Sequence, residues 1–439
     1  MNRPILALLL AVPVLVAQPA RSVAGEWAGA IQLPSAELKI AVSLAGDGST
    51  WSGRISIPAQ GAKDLPLGEV QVTGESVSFA MVGIPGDPRF KGVLGKDGRI
   101  EGQFSQGGQA FPFTLARGSA PAKIEAGAPQ RDPKDRDLGF SGFNAVPLKG
   151  SVRAGGAHPY FAVMVAGSGL TDRDWSNPLI PVPSHGGRDL AAWFQAQGIG
   201  SLRYDKRFIG SKDPKLDISL DAQVGDIRAA MKAARLLPEA KGKKLLLVGH
   251  SEGALLSLLV GGEADAALLL AMPGSSMGKV ILAQVKGQLD AAKAPAEVSA
   301  LNLAYLESAL EAIRKNQDLP QAAAGVAPGV VNLARVLTRP ESRGFVRDLL
   351  DLDPWATAQR LPVPCAMVWG DRDIQTWKPE VMPADFKGTV IEIQAANHLF
   401  KRETRAKAGL SAPEAMSTYG DTTALADLSP LAAWLQGLK

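Results

Sequence analysis

The sequence predicts an α/β domain, a mostly parallel sheet with helices on both faces, preceded by a smaller antiparallel β-domain. Three observations carry this. Short apolar runs at residues 160–166, 200–204, 245–248, 266–271, 365–369 and 389–393 are bounded by glycine, proline or charge, as strands buried on both faces are. Segments of helical composition at 189–197 and 223–237 separate several of these runs. In the N-terminal third the period changes: Leu38, Ile40, Val42 and Leu44 alternate with Lys39, Ala41 and Ser43, the repeat of two of a strand with one buried face.

Taken in order, Arg3 precedes an apolar run from Ile5 to Ala17, which has the length of a signal-peptide core and is too short to span a membrane. Ser22-Val23-Ala24 has a small-x-small pattern, so residues 1–24 read as a signal peptide. The protein is expected to be exported, periplasmic or secreted, without a stable membrane span after cleavage. No cysteine lies near the cleavage region, so a lipid anchor is not expected. Residues 25–117 form the antiparallel β-domain, with Gly46-Asp47-Gly48 and Lys96-Asp97-Gly98 as hairpin turns. Residues 118–139, rich in Ala, Pro, Lys and Asp, read as a linker. The catalytic domain follows, at 140–439. Within it the strand–helix alternation stops at about 275–355, where Leu303, Leu306, Leu310 and Ile313 repeat at helical spacing, so a helical lid is predicted.

Leu245 to Val248 runs into Gly249-His250-Ser251-Glu252-Gly253 and then into a second apolar run. Gly-x-Ser-x-Gly between a strand and a helix is a nucleophile elbow, whose glycines allow a turn too tight for side chains. Ser251 needs a base to take its proton, and there are four histidines. His250 is too close in sequence to turn back on Ser251. His158 precedes the first strong strand and His185 lies in a Pro/Ser/Gly-rich loop. His398, in the loop after the run Thr389–Ile393, is the candidate base. Upstream, Gly370-Asp371-Arg372-Asp373 ends another buried strand. Asp373 is chosen to orient the imidazole, and Asp371, directly after the glycine, is expected to close its turn onto backbone. The order Ser251, Asp373, His398 is that of α/β-hydrolases.

Further segments carry a resemblance. Gly167-Ser168-Gly169-Leu170-Thr171-Asp172-Arg173-Asp174 and Arg203-Tyr204-Asp205-Lys206-Arg207-Phe208-Ile209-Gly210-Ser211, with the triad, resemble the bacterial α/β-hydrolases of the EstD-type esterase group, which overlap the serine aminopeptidase sequence family. Leu170 stands where proline is common and Phe208 where glycine is common. The likeness extends from about residue 140 to the C-terminus and implies an α/β-hydrolase fold; β-domains of similar kind precede the hydrolase in relatives. Oxyanion holes of this fold take one N–H from the residue after the nucleophile, here Glu252, and one from the earlier loop. The second is assigned to Ser168, with Gly169 as the alternative. Asp172, Arg173 and Asp174 read first as a local ion-pair and turn network.

The expected function is a serine esterase cleaving small-molecule carboxylic esters through an acyl-enzyme. Two alternatives stay open: an aminopeptidase or amidase with the same triad, for which Glu252 or Asp172 would hold a free amino terminus, and an inactive hydrolase domain that binds a partner. The chemistry needs no cofactor. Four histidines and one cysteine without ligand spacing argue against zinc. A net charge of +4 without a basic block argues against nucleic acid. The one cysteine, Cys365, lies on a predicted core strand, so no intramolecular disulfide can form.

Overall fold

The computed structural model describes residues 22–438, apart from residues 34–35, 47–49, 58–61, 82–87, 107–108, 119–131, 178–179 and 181–183 and positions 212 and 214. Residues 1–21 of the predicted signal peptide, the Asp47-Gly48 turn and most of the predicted linker lie outside the described residues.

The antiparallel β-domain is a closed barrel. Its strands are β1 (Gly25–Leu33), β2 (Ala36–Gly46), β3 (Trp51–Ile57), β4 (Ala62–Thr73), β5 (Ser76–Ala80), β6 (Arg89–Leu94), β7 (Arg99–Gln106) and β8 (Gln109–Arg117). Each pairs with the next, and β1 also pairs with β8, which removes both sheet edges. The alternation on β2 points Leu38, Ile40, Val42 and Leu44 inward, where they are buried. Eight strands enclose a space that side chains alone can fill. Here Phe90 fills its middle, with ring centroids 4.7 Å from Phe79, 4.7 Å from Phe104 and 5.2 Å from Phe113.

The second sheet has the order β16-β15-β14-β13-β11-β12-β10-β9. Its members are β9 (Asp135–Ser141), β10 (Pro147–Arg153), β11 (Tyr160–Val165), β12 (Gly200–Tyr204), β13 (Lys244–His250), β14 (Ala266–Leu270), β15 (Cys365–Gly370) and β16 (Thr389–Ile393). All pairs from β12 to β16 are parallel, and β10 and β9 join antiparallel at one edge. Helices α1 (Gly186–Ala196) and α10 (Ser429–Gly437) bury Leu190, Phe194 and Leu431 against Met164, Val248 and Val368 on one face. Helix α2 (Leu220–Arg235) buries Val224, Ile227 and Met231 against Val163 and Leu247 on the other. Ser219 stops α2 from extending backward, its hydroxyl accepting a hydrogen bond from Ala222 N at 3.2 Å.

One boundary differs from the sequence reading. β9 begins at Asp135, inside the stretch 118–139 read as linker. The charged Asp-Arg-Asp run looks like solvated chain, but Asp135 is drawn inward by two fully buried guanidiniums, Arg153 at 2.7 Å and Arg203 at 2.6 Å. The second sheet therefore starts before residue 140.

The region between β14 and β15 holds the helical excursion. Helix α3 (Glu252–Val260) follows β13 directly, and α4 (Met277–Ala291), α5 (Ala296–Arg314), α6 (Pro328–Leu337) and α7 (Pro340–Leu350) form the excursion. Leu306, Leu310 and Ile313 of α5 pack against Ile281 and Val285 of α4, Val330 and Ala334 of α6 and Leu350 of α7. The excursion thus has an apolar core of its own.

Candidate active site

At the carboxyl end of β13 the chain reverses through Ser251, whose φ of 54° and ψ of −123° lie where a non-glycine residue costs about 1–3 kcal/mol. The strain is held by backbone bonds: Ser251 N donates to Leu270 O at 2.9 Å and Ala254 N donates to Ser251 O at 3.0 Å. The elbow admits only glycine on either side. A Cβ at Gly249 would lie 2.5 Å from Ala254 Cα, and one at Gly253 would lie 2.4 Å from Ala166 O. Among the described residues Ser251 Oγ makes no hydrogen bond, and it does not cap the helix that follows.

The loops after β15 and β16 bring Asp373 and His398 together. His398 Nδ1 lies 2.7 Å from Asp373 Oδ2. Because a carboxylate only accepts, Nδ1 carries the proton, which in the neutral ring leaves Nε2 as the acceptor. Asp373 is fully buried, which pulls its carboxyl up. The interactions outweigh the burial: positive charge on His398 and its hydrogen bond, with those from Gln375 N at 2.7 Å and Thr376 N at 3.1 Å, hold the carboxyl below the usual carboxylate range. Thr376 Oγ1 lies 2.9 Å from Asp373 Oδ2 and also from Ala271 O. Asp371 does not close its own turn, which is closed by Asp373 N donating to Gly370 O at 3.2 Å. Instead Asp371 Oδ1 accepts from Ala396 N at 3.3 Å. The parallel neighbour β16 brings that loop alongside, so Asp371 ties the two loops together.

Residues 162–404, more than half of the chain, match the model of the Alpha/beta hydrolase family. The chain belongs to this family. It is 24% identical to Esterase EstD of Thermotoga maritima over 309 residues, covering 70% of this chain and 66% of the relative. It is 36% identical to Polyketide transferase af380 of Aspergillus fumigatus over 76 residues, 17% of this chain and 26% of the relative. The chain thus spans just under two thirds of the first relative and about a quarter of the second. Among solved structures it resembles the Pyrococcus furiosus esterase Pf2001 (15% identity, TM-score 0.39, 61% of this chain and 86% of the other) and the hypothetical protein PA2218 of Pseudomonas aeruginosa (14%, 0.41, 70% and 95%).

The loop after β11 lies against the elbow: a Cβ at Gly167 would come within 3.2 Å of Ser251 Cβ. Ser168 O accepts from Thr171 Oγ1 at 2.6 Å. The N–H groups of Ser168 and Glu252 have no protein acceptor among the described residues. The charged triplet beyond is a scaffold. Asp172 Oδ1 accepts from Asp174 N and Ser176 N, both at 2.9 Å. Burial, with the charges of Asp174 and Asp205, pushes its carboxyl up to about 6. Arg173 pairs with Asp205 at 2.7 Å, and Asp174 with Arg203 at 2.9 Å. The side chain of Glu252 is engaged by Lys206 Nζ at 2.8 Å.

Four residues around the site were missed in the sequence. Thr376 had a signal, since Asp-x-x-Thr after a strand is a side-chain-to-backbone turn. Lys206, Trp175 and His250 had none, because each acts on a residue distant along the chain. Cys365 is buried and its thiol is pushed up to about 12 by burial. Among the described residues no group of three His, Cys, Asp or Glu could hold a metal ion, and no helix is long and apolar enough to cross a membrane.

Proposed function

We propose that the chain is a serine esterase that cleaves carboxylic esters through an acyl-enzyme. The observation that carries this reading is the buried His398–Asp373 couple at 2.7 Å, on loops at the same carboxyl edge of the sheet as the strained Ser251. His398 Nε2 takes the Ser251 proton as Oγ attacks the ester carbonyl, and Asp373 stabilises the imidazolium that forms. The Glu252 and Ser168 N–H groups receive the oxyanion, aided by the N-terminus of α3. His398 then protonates the leaving alcohol, and water repeats the sequence on the acyl group.

Ester cleavage is favoured over aminopeptidase action because both acids available to hold an amino terminus are engaged. Glu252 is paired with Lys206, and Asp172 caps its own loop. The relative named an esterase agrees with this choice. The test is a burst assay on p-nitrophenyl acetate beside aminoacyl-p-nitroanilides. A stoichiometric burst on the ester that Ser251→Ala removes is expected, and anilide turnover exceeding ester turnover would reverse the assignment. We also propose export, on the strength of Arg3 and the apolar run that follows; N-terminal sequencing of protein from the culture fraction tests it.

A further inference from the structure

The triad acid orients the His398 ring, but something must also hold its backbone at the right distance from Ser251. On one side Asn397 does so: its Oδ1 accepts from Leu399 N at 2.9 Å and Lys401 N at 3.0 Å, while its Nδ2 donates to Thr418 O at 3.2 Å. The other side is held from the elbow. His250 Nε2 lies 2.9 Å from the His398 carbonyl oxygen, and since a carbonyl only accepts, Nε2 carries the proton.

We infer that His250 is a positioning residue for the catalytic base, its ring spanning from the nucleophile elbow to the His398 backbone and so setting the separation of Ser251 and His398. The inference rests on the triad reading above.

The surroundings give this ring little freedom. Trp175 stacks on it at 4.6 Å with planes 20° apart, and the His398 ring lies 4.7 Å away on a tilt. Trp175 is itself wedged against α1, where a Cβ at Gly187 would lie 2.7 Å from its Cγ. On the loop side, a Cβ at Gly167 would lie 3.1 Å from His250 Nδ1. That nitrogen is buried without a partner, which fits a ring whose one hydrogen bond is spent on His398. Burial, with the His398 charge, pushes the His250 pKa down to about 3. The imidazole therefore stays neutral while its neighbour gains and loses a proton, and no second charge opposes the imidazolium.

Glutamine and methionine are close in length and volume, but only glutamine can donate an N–H to the His398 carbonyl. Comparing His250→Gln with His250→Met therefore isolates the hydrogen bond. His250→Met should lower kcat for p-nitrophenyl acetate roughly 10–100-fold with KM within about twofold, the size of a small misplacement of a catalytic group, and His250→Gln should recover most of it. If the methionine variant does not fold, His250→Phe, which keeps the stack on Trp175, is compared with glutamine instead. Equal kcat values for the donor and non-donor variants, or a loss confined to thermal stability, would overturn the inference. Ser251→Ala in the same assay separates the two readings: turnover that survives it sinks the triad, whereas a failed glutamine rescue with a dead Ser251→Ala sinks only the role of His250.

Discussion

The two halves of the molecule bury different chemistry. Among the described residues of the barrel, every buried side chain is apolar; in the catalytic half Arg153, Arg203, Lys206, Arg207, Asp226, Asp373, Lys401 and Glu403 are all buried. All but Asp373, whose partner is His398, have an opposite charge within reach, such as Arg207 with Asp226 at 2.7 Å and Lys401 with Asp189 at 2.8 Å. A closed barrel needs only matching faces, because its backbone groups satisfy one another around the ring. An open parallel sheet must instead hold long loops at its carboxyl edge, and there buried ion pairs fix geometry that apolar packing cannot specify. A buried pair adds little net stability, but removing one partner leaves a desolvated charge. The catalytic half should therefore be the half in which single polar changes are severe.

The largest effect that would sharpen this contrast is on turnover. Ser251→Ala should lower kcat roughly 10⁶-fold, the loss seen when a triad nucleophile is removed. Fluorophosphonate labelling should vanish with it, and labelling that persists would place the nucleophile elsewhere. Next, Asp373→Asn should cost about 10⁴-fold in kcat by favouring the wrong imidazole tautomer. Asp371→Asn, which weakens the bond from the Ala396 N–H and the 3.3 Å contact with Arg372, should lower stability by about 1 kcal/mol, read as a fall in melting temperature. Reversed phenotypes would exchange the roles of the two acids.

Stability effects come below these. Arg203→Met leaves Asp135 and Asp174 without their shared cation and should cost roughly 3–5 kcal/mol of catalytic-half stability. By the same argument a chain starting at residue 130 should fold and give an ester burst. One starting at residue 138, lacking Asp135 and also Asp132, which pairs with Arg153 at 2.6 Å, should not. Phe90→Ala should cost a similar 3–5 kcal/mol through its cavity, yet confined to unfolding of the barrel, with the burst per folded molecule unchanged. A barrel cavity that abolishes the burst would break the comparison.

The smallest effect is a pH dependence. Burial raises the Glu403 carboxyl, but hydrogen bonds from Arg405 and Thr418 and the Arg405 charge outweigh it and bring the carboxyl down to about 2. A depressed folded pKa stabilises above the unfolded value near 4.5 and is lost as pH falls toward 2. The melting-temperature gap between the wild type and Glu403→Gln should therefore be widest at pH 7 and narrow by pH 3.5. A gap that widens on acidification would contradict the sign.

Much of the molecule was legible in residue order. The six apolar runs became β11 to β16, because strands covered on both faces are largely apolar; polar exceptions within the runs, such as Ser201 and Arg203 of β12 and Glu392 of β16, lie toward the ends of the sheet order. The period of two at Leu38–Leu44 marked a barrel strand for the complementary reason. Ser251, Asp373 and His398 could be picked out as candidates because each sits where a core strand ends, and a strand end can be read locally. Barrel closure was not, since it depends on β1 meeting β8 across the whole domain. Nor was β9, whose Asp135 is inside only because Arg153 and Arg203 are there to receive it.

The sequence by itself determined the α/β class, the helical excursion and the tight turn at Ser251, since periodicity and tight-turn glycines are properties of short windows of chain. Only the tertiary structure decided that His398 meets Asp373, that Asp371 ties two loops, and that His250 reaches the backbone of His398 from beside Ser251. These are pairings between residues up to 148 positions apart. No local pattern encodes them, because the partner is chosen by which strands lie side by side.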